Sequence, residues 1–212
     1  IKLFIRDRLP KGAPTCRNIG IKNASGKYII FLDSDDILLP HCLDQRYNFI
    51  KQNPKLKVAI FPIACKSGND ISIIPIFPIN YPIKNFLKYD NTWTIMNPIW
   101  NKEFLLLLKG FDESYERMQD IELMIRALIQ LKHEELSIIN NPYDAIYFPS
   151  AKTNSVPWEK QYTANINFIN KIPCLLPPIY KTEIKLLNNY LKLFYRDCYF
   201  RKGFTNCHDM KY

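Results

Sequence analysis

The chain has 212 residues, of which 47% are hydrophobic and 23% charged. That is enough for a domain with a sizeable core, and it excludes a disordered tail, a coiled coil or a collagen-like repeat. The formal charge of +9, from 29 basic and 20 acidic residues, attracts anions such as nucleic acid, phosphorylated substrates or an anionic membrane surface. The lysines are scattered, and no helix-turn-helix, RNP-type or zinc-finger spacing accompanies them, so no specific nucleic-acid binding is expected. Apolar runs such as 28–32, 58–65 and 104–108 fall far short of the ~18 residues that cross a bilayer. The start also lacks the order of a secretory signal. The six cysteines (Cys16, Cys42, Cys65, Cys174, Cys198, Cys207) form no CxxC pair, which points to reduced thiols in the cytoplasm.

The chain opens on Ile1, with a strand-like run over 1–5 and no cap, so an N-terminally truncated chain is expected. A short helix is predicted over 15–24, with Thr15 as N-cap and Ser25-Gly26 closing it. The apolar, β-favouring run 27–32 reads as a strand buried on both faces of a parallel sheet, and it ends in Asp33-Ser34-Asp35-Asp36. A helix from Pro40 to the residue before Asn53-Pro54 would place Leu43, Tyr47 and Ile50 on its buried stripe. A further buried strand follows over 56–61. Strand, helix and strand in this order predict an α/β domain with parallel strands.

The Ile- and Pro-rich stretch 62–82 should be extended. Helical character resumes over 101–109 and is closed by Gly110, and a helix near Gln119 turns Leu123, Leu128 and Leu131 inward. From Trp158 onward the chain is helical, aromatic and basic, with Ile184, Leu187, Leu191 and Tyr195 in register. The expected organisation is a domain over 1–150 and a helical C-terminal extension over 151–212. The basic aromatic helix 181–202 has the composition either to rest peripherally on the inner face of an anionic membrane or to pack against the domain. Trp93, Trp100 and Trp158 are candidates for stacking on a sugar, although large aromatics more often fill cores. His41, His133 and His208 show no metal-ligand spacing.

Asp33, Asp35 and Asp36 lie where a buried strand runs out, the edge that ligands use in open α/β sheets. Three carboxylates in four residues repel one another. A hard divalent cation that also bridges phosphates relieves that cost, and metal-diphosphate binding is favoured over a solvated acidic turn. The run is not an EF-hand loop, because Ile37 stands at the third ligand position and the required glycine is absent.

Cys16-Arg17-Asn18-Ile19-Gly20-Ile21, then Ala24-Ser25-Gly26-Lys27-Tyr28-Ile29, then Phe31-Leu32-Asp33-Ser34-Asp35-Asp36 resembles the core signature of family 2 glycosyltransferases. Downstream, Gly110-Phe111-Asp112-Glu113 with Met118-Gln119-Asp120-Ile121-Glu122-Leu123 and Arg126 resembles that family's acceptor-side motif. The resemblance implies a GT-A fold, a Rossmann-like mixed sheet flanked by helices. The family's opening strand and helix would precede Ile1. It also implies transfer of a sugar from a nucleotide-diphosphate donor to a hydroxyl of a glycan or lipid-linked acceptor, in surface polysaccharide synthesis, by metal-dependent inverting displacement.

In that reading Asp35 ligates Mn2+ or Mg2+, Asp33 faces the nucleotide ribose, Asp36 supports the cluster and Arg17 lies near the nucleotide. Asp120 is the catalytic base, and its place at a helix N-terminus favours the ionised carboxylate. Glu122 and Arg126 are spaced as a surface i,i+4 pair. Gln119 stands where the family usually has an acid, and the segment 146–155 lacks the family's histidine, so a third metal ligand is unassigned. The rival expectations are a non-catalytic basic protein that binds a polyanion and an inactive fragment of the same fold.

Overall fold

A computed structural model of the chain describes residues 2–74, 82–87, 93–140, 142–149 and 158–189. In chain order the elements are α1 (Ala13–Asn23), β1 (Tyr28–Ile30), β2 (Ile37–Leu38), α2 (Cys42–Gln52), β3 (Val58–Ile60), β4 (Ala64–Ser67) and β5 (Asp70–Ile73). They continue with α3 (Pro82–Leu87), β6 (Pro98–Asn101), α4 (Lys102–Leu107), α5 (Gln119–Gln130), β7 (Leu136–Ile138), β8 (Ala145–Tyr147) and α6 (Trp158–Leu175). A last helix, α7, spans 181–189. No described helix is long and apolar enough to cross a membrane.

The main sheet has the order β1-β6-β3-β7, with β6 antiparallel to both β1 and β3 and β7 parallel to β3. This corrects the expected parallel sheet: β1 and β3 run the same way but do not touch, because β6 lies between them and sets Trp100 opposite both Ile29 and Val58. A continuous apolar run carries no strand direction, and Pro98 disguises β6. Proline is nevertheless tolerated as a strand's first residue, where it has no ladder N–H to give. Alternation along β3 divides the core. Val58 and Ile60 pack in the larger cluster with Trp100, Phe104, Leu105 and Leu123, while Ala59 turns toward Ile50, Phe61 and Ile99 under α2. A smaller sheet, β2-β8-β4-β5, sits beside it, and β5 is exposed along its whole length.

Three local readings need correction. Leu43 and Tyr47 are exposed, and α2 instead buries Cys42, Arg46 and Ile50. A stripe containing arginine escapes an apolar pattern; here Arg46 is buried because it meets Asp144, both side chains being 0% exposed. Gly12, not Thr15, precedes the first helical residue of α1; Pro14 occupies its first turn and Thr15 is buried. The opening run 2–7 enters no sheet, and Leu3 and Ile5 stand exposed.

The hairpin β4–β5 turns at Gly68, whose φ is +61°, as expected of an extended stretch, while 75–81 lies outside the described residues. The core takes in Trp93 and Trp100, which are therefore no sugar platform. Phe168, Ile169 and Ile172 of α6 and Leu187 of α7 join the same cluster, so the C-terminal helices pack on the domain. Leu191, Tyr195 and the rest of the basic run to 202 lie outside the described residues, as does His208.

Candidate active site

β1 carries Phe31 into the core and releases the chain at its end, so that Asp33 is half-buried, Asp35 exposed and Asp36 buried. The three acids therefore have different partners. Arg17, from the middle of α1, donates through one guanidinium nitrogen to Asp33 Oδ1 at 2.6 Å, and the Asp33 side chain remains 42% exposed. Asp36 Oδ1 accepts the Phe148 backbone N–H at 2.9 Å, while its buried Oδ2 has no hydrogen-bond partner among the described residues. Burial pushes the Asp36 carboxyl above the ordinary carboxylate range against the pull of that N–H, and the neighbouring Asp35 and Asp33 push it further. The end of β8 thus belongs to the site. Tyr147 lies in the field of all three acids, and its hydroxyl is raised first by burial and then by those charges. The segment 150–155 is outside the described residues.

The second motif arrives from the other side. Phe111 packs edge-on against Phe31, ring centroids 5.2 Å apart, and lies under the Arg17 guanidinium at 5.4 Å. Asn18 holds the backbone of the same turn: its Nδ2 donates to Phe111 O at 2.9 Å and to Glu113 Oε1 at 2.8 Å, and its Oδ1 accepts the Phe111 N–H at 2.8 Å. Gly110 makes this approach feasible. Its φ is +65°, and a Cβ there would lie 2.3 Å from Asn18 Oδ1. Glu113 also takes a forked hydrogen bond from Arg8, with both contacts at 2.6 Å. The Arg8 guanidinium above all, with Asn18 assisting, holds the Glu113 carboxyl down to about 2.

The chain then reaches α5 through Met118, whose φ of +63° is a left-handed conformation that a bulky side chain rarely adopts. Asp120 follows in the first turn, half-buried, and accepts the Ile121 N–H at 3.0 Å. Burial dominates its titration and raises its carboxyl. Backbone N–H groups and the Arg17 charge oppose that rise, and the Asp33 charge adds to it. The expectation that the helix start would favour the ionised form is thus outweighed by desolvation, and the result is a carboxylate with a stronger hold on a proton. The shared field of Arg17 and Asp33 brings the two sequence motifs into one site.

The model of glycosyl transferase family 2 matches residues 3–108, half of the chain. The chain belongs to glycosyl transferase family 2. An uncharacterised glycosyltransferase of Haemophilus influenzae is 24% identical over 127 residues, 58% of this chain and 43% of that protein. The poly(ribitol-phosphate) β-N-acetylglucosaminyltransferase TarP of Staphylococcus aureus is 25% identical over 218 residues, 83% of this chain and 65% of TarP. Among solved structures, S. aureus TarS 1–349 in complex with UDP-GlcNAc superposes with a TM-score of 0.60 at 18% identity, covering 82% of this chain and 50% of TarS 1–349. The fold is therefore the GT-A fold of mixed sheet and flanking helices. The chain spans about half the length of the relatives it matches.

Within this family frame, Arg17, Asp33, Asp36 and Asp120 converge on one place, and Asp35 borders it with an exposed side chain. No group of three His, Cys, Asp or Glu side chains is arranged to hold a metal ion among the described residues. Glu122 and Arg126 do pair, but not on the surface: Glu122 is buried, and Arg126 also donates to the carbonyls of Leu108 and Gly110. Their pair thereby ties α5 to the end of α4. The motifs give Asn18 no role, and Gly110 only that of closing a helix. Their spacing over 92 positions along the chain has no local signal, and Met118 has none either.

Proposed function

We propose that the chain is the donor-binding and catalytic part of an inverting nucleotide-sugar transferase acting on a hydroxyl of a glycan or lipid-linked acceptor. The observation that carries this reading is that Arg17, paired with the donor-side carboxylate Asp33, also lies near enough for its charge to act on the Asp120 carboxyl at the head of α5. TarS holds UDP-GlcNAc on the same fold, which supports a nucleotide diphosphate sugar as donor. TarP's poly(ribitol-phosphate) acceptor supports a hydroxyl-bearing surface polymer as acceptor, which the basic charge of this chain suits.

In this reading Asp120 takes the proton from the acceptor hydroxyl as that oxygen bonds to the anomeric carbon and the carbon–oxygen bond to the diphosphate breaks. A carboxyl raised by burial is a better proton acceptor than an ordinary one. Arg17 orients Asp33, whose exposed face meets the nucleotide ribose. Asp35 and Asp36 Oδ2, which has no hydrogen-bond partner among the described residues, are hard oxygen donors and would hold Mn2+ or Mg2+. Such an ion, when bound, supplies Lewis-acid neutralisation of the departing diphosphate.

The test uses the full-length protein. Asp120→Asn should lower transfer by roughly 10²- to 10⁴-fold while UDP still binds, and Asp35→Asn should weaken manganese-dependent UDP binding. Full transfer by Asp120→Asn would discard the base. Binding that depends on salt and is indifferent to metal would favour a non-catalytic, polyanion-binding protein.

A further inference from the structure

We propose that Asn18 is a positioning residue, which fixes the 110–113 turn on α1 and thereby sets the spacing between Asp33 and Asp120. The inference rests on the reading of Asp120 as the base. Asn18 uses both kinds of group that its amide has: the nitrogen donates to Phe111 O and Glu113 Oε1, and the oxygen accepts from Phe111 N–H. An aspartate can only accept, and an alanine does neither.

Phe111 is therefore gripped at its amide and carbonyl by Asn18 and at its ring by Arg17 and Phe31. Arg17 is the next residue on the same helix and reaches Asp33 at 2.6 Å. One turn of α1 thus contacts the donor-side acid with one side chain and the approach to the base with the next. From that turn the chain runs through the left-handed Met118 into Asp120. No glycine lies between Phe111 and Asp120. Gly110 closes the clamp from the other side, because any Cβ there collides with Asn18 Oδ1.

The experiment compares Asn18→Ala, Gly110→Ala and the double variant in the full-length protein, at a temperature where circular dichroism shows each to be folded. A misplaced base is expected to lower kcat by roughly 10- to 100-fold, with KM for the nucleotide sugar little changed. The double variant should be less impaired than the product of the two single effects, because both act on one contact. Asp120 is faced by Arg17 from α1 and by Asp33 from the loop after β1. Loosening Arg17 should therefore move the acid limb of the kcat/KM profile to higher pH. Wild-type kcat and an unmoved limb, with only a lower Tm, would show that Asn18 is merely structural and overturn the proposal.

If Asp120→Asn retains transfer, the base assignment fails instead. The clamp is then decided by NMR titration of the Asp120 carboxyl in wild type and Asn18→Ala: an upward move supports it, and an unmoved or lowered titration overturns it.

Discussion

Arg46 and Asp144 form a two-pronged pair with both side chains at 0% exposure, whereas Arg17 and Asp33 meet through a single nitrogen and Asp33 stays 42% exposed. The buried pair is matched by two direct hydrogen bonds, one to each Asp144 oxygen. Arg46 also donates to Met96 O at 2.6 Å and lies over the Phe61 ring, joining α2, the approach to β6 and the approach to β8. The open pair keeps carboxylate oxygen available at the end of β1. The same two side-chain types thus serve a structural joint in one place and a solvent-facing contact in the other. Desolvation decides which, because a charge taken wholly out of water must be matched within the protein, while one left half-wet can exchange partners.

The contrast between these pairs can be broken in order of size. Arg46→Ala should cost about 3–5 kcal/mol by leaving Asp144 buried and unmatched, read by urea denaturation. Arg46→Met with Asp144→Leu should recover much of that loss, which would confirm that matching and not charge is what the fold needs.

Asp120→Asn should behave in the opposite sense, losing transfer while raising Tm at neutral pH. Its folded carboxyl is raised, so ionising it opposes folding. The stability that protonation provides is full below the ordinary Asp value and is lost as pH rises through the higher folded value. The gain in Tm over wild type should therefore shrink as pH falls from the raised folded value toward about 4, and be gone below it.

Gly110→Ala should cost about 1–2 kcal/mol from left-handed backbone strain alone, with the Asn18 contact adding to it. The smallest effect belongs to Arg8→Ala. The Arg8–Glu113 pair is exposed on the arginine side and screened by solvent, so only a slight fall in Tm is expected. Because the Glu113 carboxyl is depressed, that contribution is present above its usual 4.5 and disappears as pH falls toward 2. A Tm difference that persists at pH 2 would show the pair to act by packing instead.

The acidic strand end was legible in the sequence, because an apolar run ending in Asp33, Asp35 and Asp36 is a local pattern, and so is an acid in the first turn of an amphipathic helix that starts at Gln119. Helix ends at Asn23 and Gln52 came within two residues for the same reason. The partners were not legible. Arg46 meets Asp144 across 98 positions and Asn18 meets Phe111 across 93, and nothing in either neighbourhood marks the other. Nor does a buried arginine look different from a surface one until its carboxylate is in place. Strand direction in the main sheet escaped as well, since burial on both faces gives β1, β3 and β6 similar composition whichever way they run.

The seating of β6 between β1 and β3 has a kinetic consequence. Neither earlier strand has its in-sheet neighbour until residues 98–101 have been made, so on a ribosome the apolar 58–61 stretch emerges well before its cover. Sheet closure must then wait for a contact some 70 positions distant from β1, which favours slow, nearly all-at-once assembly. The synthesis interval before Trp100 appears is the period in which a nascent chain has most need of a chaperone.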